Sequence, residues 1–140
     1  MPRRCMVRIR GGYKAVMEAL EAYKREIYRY NSIISGTGFY LKPVHIVTRR
    51  LPDGTRRRYL YIGRYWWRLG YTSSQGRKRL RWRYIGTEKP PELRGYPRPP
   101  SSPLQGLRVV VEGEDVLVDC SLFRRYRWLF KGYTAEPAEG

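Results

Sequence analysis

The chain has 140 residues and a formal net charge of +17, from 29 Lys/Arg against 12 Asp/Glu, with 41% hydrophobic residues. That length supplies one modest core, while the charge far exceeds what solubility needs and strains a compact fold by repulsion; a polyanion is the simplest partner to offset it. Two cysteines and a single histidine do not make a thiolate or imidazole metal cluster, and no apolar run approaches the roughly 18 residues of a spanning helix.

No cofactor or metal is expected. Cys5 and Cys120 are read as free thiols in a reducing cytoplasm, with one disulfide between them as the alternative. The N-terminus is basic but has no h-region, so the chain is expected to stay inside the cell, nucleoid-associated or within a nucleoprotein particle. The charge is carried mostly by arginine, 23 residues against six lysines. Arginine grips phosphate in bidentate fashion and lies flat on aromatic rings, although an arginine-biased genome would produce the same excess.

Met6 to Arg10 alternates weakly and predicts a short strand ahead of Gly11-Gly12. Val16, Leu20, Tyr23, Ile27, Tyr30 and Ile34 then recur at spacings of three and four, the signature of one helical face over 14–34, with Gly36 and Gly38 ending the helix. Gly11-Gly12 with Lys14 is a secondary candidate for phosphate contact. From Val44 the period becomes two. Leu51-Pro52-Asp53-Gly54 is a turn, and a first hairpin closes with Arg56 to Ile62. Tyr65 to Tyr71, a turn at Thr72 to Gly76, and Arg77 to Ile85 form a second hairpin. Its Tyr84-Ile85-Gly86 echoes Tyr61-Ile62-Gly63, which suggests tandem units.

Glu88 to Pro103 holds six prolines and reads as an extended linker or surface strap. Leu107 to Val111 and Asp115 to Asp119 predict a third hairpin, Leu122 to Phe130 a last helix capped by Ser121, and Ala135 to Gly140 a frayed end. The expected fold is α+β: an antiparallel sheet of two tandem hairpins plus a C-terminal hairpin, packed against one long N-terminal helix. Residues 1–89 would hold the helix and basic sheet, 90–106 the Pro-rich segment, and 107–140 the C-terminal hairpin and short helix, packed on the same domain.

The basic strands are the candidate binding surface. Arg77, Arg79, Arg81 and Arg83 share one face of their strand, while Lys78, Leu80, Trp82 and Tyr84 share the other, expected to pack on the helix. Arg56, Arg57 and Arg58 sit beside a turn tip that can reach a phosphate backbone, and Arg49, Arg64, Arg68 and Lys78 extend the cationic set. Tyr61 and Trp66 are expected as exposed stacking rings, with Trp67 and Trp82 in the core. The acidic cluster Glu112, Glu114, Asp115 and Asp119 reads as a solvated hairpin tip, with packing against the basic sheet as the alternative. From Tyr65 to Gly86 the strand, turn and basic-aromatic return strand loosely resemble the small three-stranded DNA-binding modules at the front of phage-type integrases, without any catalytic recombinase domain.

These features point to non-enzymatic nucleic-acid binding, with double-stranded DNA ahead of RNA, because a two-stranded ribbon fits a major groove about 12 Å wide. RNA or ribonucleoprotein binding is the alternative, and a self-assembling homo-oligomer is the third reading.

Overall fold

The computed structural model describes residues 4–139, which build an antiparallel seven-stranded sheet packed against one long helix. The chain is therefore α+β. The helix, α1 (Gly12–Ile33), buries Val16, Leu20, Tyr23, Ile27 and Tyr30, the stripe its spacing predicts, with Ile34 buried just beyond it. Gly11, at φ 68°, swings the chain into α1 from strand β1 (Cys5–Ile9). A Cβ on Gly12 would come 2.8 Å from methyls of Ile9 and Val116, so only glycine lets the helix start this close to the sheet.

Strand β2 (Phe39–Arg50) pairs with β3 (Arg56–Ser74), and β3 with β4 (Arg77–Gly86). Where the alternation suggested two strands broken near Gly63, β3 runs unbroken for 19 residues. The interruption is a bulge. Pro43 of β2 has no N–H to give, and Gly63 with Arg64 together face it between the pairs Lys42↔Tyr65 and Val44↔Ile62. The Tyr23 hydroxyl donates to Gly63 O at 2.9 Å, and Ile62 exchanges backbone bonds with Gly106 and Leu107, so the polar groups freed by the bulge find partners. Across Pro43, itself buried, the β2 residues paired with the core-facing residues of β3 change from Leu41, opposite Trp66, to Val44 and Ile46, opposite Ile62 and Leu60, although Ile46 is already 52% exposed; on β3 Leu60, Ile62 and Trp66 stay inward.

The other edge of β3 is shared: β5 (Arg108–Glu112) takes residues 58–61 and β4 takes 66–74. β5 turns back into β6 (Asp115–Asp119), which pairs with β1. The predicted frayed end is instead β7 (Ala135–Glu139), paired along β1 from Cys5 to Ile9; backbone pairing at a free edge requires no apolar pattern. Gly140 lies outside the described residues. The last helix, α2 (Cys120–Arg125), is shorter than its periodicity suggests. Its cap is Asp119, which accepts from Ser121 N, and not Ser121.

Cys5 and Cys120 form a disulfide, with Cα atoms 5.4 Å apart, so the free-thiol expectation is overturned. The register explains it: Met6 faces Asp119 across β1 and β6, which brings the flanking cysteines together. The proline-rich segment is a strap. Leu93, Leu104 and Leu107 enter the core, while the Tyr30 and Tyr126 hydroxyls donate to Pro97 O and Pro103 O, each at 2.7 Å.

Candidate nucleic-acid interface

β2 ends its pairing with β3 at Phe39↔Arg68, and past that point only β4 accompanies β3. The two strands leave the core as a ribbon whose residues 71–85 are all exposed. Gln75 (φ 53°) and Gly76 (φ 75°) close it in a two-residue turn with both residues left-handed, shorter than the turn expected from Thr72 to Gly76.

Register fixes the faces of this arm. Arg77, Arg79, Arg81 and Arg83 lie opposite Ser74, Thr72, Gly70 and Arg68, so five guanidinium groups share one face with small neighbours between them. Alternate arginines are about 7 Å apart along the strand. The other face carries Lys78, Leu80, Trp82 and Tyr84. Its expected burial against α1 does not occur: Leu80, Trp82 and Tyr84 are 54%, 47% and 46% exposed. The helix packs on β2 and β6, short of the arm.

All thirteen cations between Lys42 and Arg83 fall in β2, β3 and β4, three strands without a single acid. The acids cluster elsewhere. Glu112 meets Arg8 and Arg57, each at 3.5 Å, and Asp115 meets Arg8 at 3.2 Å and Arg10 at 3.1 Å, so these two acids are paired within the chain, while Glu114 at the turn is exposed as expected of a tip. Asp115 also accepts from Gly11 N at 2.8 Å. That bond first, then Arg8 and Arg10, holds its carboxyl below the ordinary value, and it occupies the backbone group considered for phosphate. Lys14 faces Glu18 at 3.9 Å. Among the described residues, no carboxylate lies within 4.0 Å of Arg77, Lys78, Arg79, Arg81 or Arg83, while Arg68 touches Glu92 at 3.9 Å.

The remaining assigned residues divide. Arg49 and Arg56 are exposed near the β2–β3 turn, and Arg49 lies 5.4 Å over the Tyr59 ring. Arg58 lies 5.2 Å over Tyr13. Arg57 is bound to Glu112, and Arg64 donates to Pro99 O, Pro100 O and Ser101 Oγ at 2.9 to 3.1 Å, which makes it a tie for the strap and not a free cation. Trp66 is fully buried, edge-on to Tyr30 at 6.2 Å, which corrects its assignment as an exposed ring. Trp82 is exposed and Trp67 half-buried, so the expected order of the tryptophans is inverted. Arg68 and Gly70, which share a face with Trp66, lie where β3 is already leaving the core, so their polarity says nothing of the face at Trp66.

Tyr61 is half-buried with His45 beside it, ring centres 6.1 Å apart. It belongs to a set that sequence reasoning missed. Tyr65, Trp67 and Tyr84 continue from it on the sheet face turned away from Leu60, Ile62 and Trp66. The odd-numbered run Tyr59, Tyr61, Tyr65, Trp67 is the signal, legible only if β3 is one strand. Burial first, then the neighbouring Tyr84 and Tyr61, pushes the Tyr65 phenol above its ordinary value, so the Tyr65 ring meets a ligand uncharged.

Among the described residues no group of acids, histidine or cysteines is placed to hold a metal ion, and no helix is long and apolar enough to cross a membrane. No family model, curated protein or solved structure matches the chain.

Proposed function

We propose that the chain is a non-enzymatic nucleic-acid-binding protein that engages double-stranded DNA through the arginine face of its β-ribbon arm. The observation that carries this reading is the arm itself: Arg77, Arg79, Arg81 and Arg83 project from a ribbon with no apolar burial to explain it and, among the described residues, with no carboxylate within 4.0 Å of them. Solvent-exposed guanidinium groups in register match a phosphate backbone, and a two-stranded ribbon fits a groove about 12 Å wide. Arg49 and Arg56 add exposed charge at a second turn.

The test is binding of the full chain to a fluorescent duplex across a salt series. Replacing Arg79, Arg81 and Arg83 together by glutamine is expected to weaken binding to all duplex sequences alike and to flatten the log–log salt slope by up to about 2.7, three contacts' worth. Stability should move by less than about 0.5 kcal/mol per site, since these side chains bury nothing. An unchanged slope would remove the arm from the interface.

A further inference from the structure

The arginine face of the arm leaves a second surface unexplained. On the sheet face opposite the buried Leu60, Ile62 and Trp66, five rings from three strands form a connected line: Tyr61 to His45 at 6.1 Å, His45 to Tyr65 at 5.5 Å, Tyr65 to Tyr84 at 6.4 Å, and Tyr84 to Trp67 at 5.3 Å. Lys42 Nζ stands 4.7 Å over the Trp67 ring. We propose that this face is a stacking platform for the unpaired bases of a single-stranded nucleic acid. The inference rests on the nucleic-acid reading above, and assigns a different substrate class to a different surface.

Three observations carry it. His45 and Tyr84 are exposed and Tyr61, Tyr65 and Trp67 half-buried, so each ring is held by its neighbours yet keeps surface open to solvent. Rings already held in place lose little freedom when a base lies on them. Second, the three strands beneath the rings carry no acid, and Lys42 stands among the rings. An apolar protein partner would strand that charge without a counter-ion, whereas a nucleotide brings a flat base for the ring and a phosphate for the ammonium. Third, a duplex hides the faces of its bases in its own stack, so rings arrayed on an open sheet can be used only by unpaired ones. Arg83 and Tyr84 are adjacent in β4 and point to opposite faces, which makes the two surfaces separable by mutation.

The experiment uses the full chain with labelled oligothymidine of about 15 nucleotides and with a mixed-sequence duplex, each titrated separately at one salt concentration. The Tyr65→Ala/Tyr84→Ala variant is expected to bind oligothymidine at least about tenfold more weakly and duplex within about twofold of the unmodified chain. Tyr65→Phe/Tyr84→Phe, which keeps both rings, should retain single-strand affinity within about threefold. If the double alanine variant loses its native circular dichroism, Tyr84→Ala alone, at a 46% exposed position, gives the comparison, with a loss of at least about fivefold expected. Duplex binding with oligothymidine affinity untouched by ring removal, or with no single-strand binding, overturns the platform and leaves the arm reading standing. Binding to neither polymer overturns both.

Discussion

Adjacent residues in β3 serve opposite ends. Trp66 is fully buried and edge-on to Tyr30, and its neighbour Trp67 lies on the open face under Lys42. Alternation along a strand decides this, because one residue's step turns a side chain from core to solvent. Trp66→Ala should therefore lower unfolding free energy by about 3–5 kcal/mol through the cavity it leaves. Trp82→Ala, at a 47% exposed position on the arm, should cost less than about 1 kcal/mol. Urea denaturation followed by far-ultraviolet circular dichroism separates the two; comparable losses would mean that the arm is anchored more deeply than its exposure shows. Arginines divide in the same way. Arg64 spends its guanidinium on three oxygens of the strap, whereas Arg79 and Arg81 meet no carboxylate among the described residues.

One polar junction ties three elements together at their ends. The start of α1, strand β1 and the β5–β6 turn meet at Asp115, which accepts from Gly11 N and pairs with Arg8 and Arg10. Its carboxyl is held below the ordinary 3.8, chiefly by the Gly11 N–H and then by the two arginines. A carboxyl whose folded value lies below its unfolded one contributes stability that is complete above the unfolded value and drains away as pH falls through the folded value. Unfolding midpoints in urea should thus fall as pH drops below about 4. Asp115→Asn should lower the midpoint at neutral pH and flatten that acid limb. An acid limb of unchanged slope would assign the loss to other carboxylates. The strap is fastened along its length by Tyr30, Arg64 and Tyr126, so a segment with little regular structure beyond the 3-10 turn Pro91–Leu93 keeps one path across the core.

Across the whole molecule charge is sorted by position. The β5–β6 hairpin gathers acids against Arg8, Arg10 and Arg57, and the arm carries cations alone. The disulfide acts at the same scale. Cys5 and Cys120 are 115 residues apart, so their bond closes nearly the full chain and removes much freedom from its unfolded state. Cys5→Ser or Cys120→Ser should cost about 2–5 kcal/mol, and reductant should bring the unmodified chain down to the same value. Denaturant midpoints measured with and without reductant check this; no difference would show that the β1 pairings hold the termini unaided. The bond also takes away the free-thiol argument on which a reducing compartment was expected.

The sequence by itself determined the helix with its buried stripe, the hairpins around Pro52-Asp53-Gly54 and Glu112-Gly113-Glu114, the alternating faces of β4 and the density of arginine and lysine from Lys42 to Arg83, where Asp53 is the single acid. All are local properties: periodicity, turn chemistry and composition act within a few residues. Only the tertiary structure decided that β3 passes through Gly63 as one strand, that Trp66 and not Trp67 fills the core, that Arg57 and Arg64 are already engaged, and that Cys5 meets Cys120. Each of these depends on where a partner distant in the chain begins or stops. Alternation shows that a strand has two faces, but which face is covered is set by the elements that reach it, and past Phe39 β2 no longer pairs with the arm and leaves only the Tyr40 ring against Trp82.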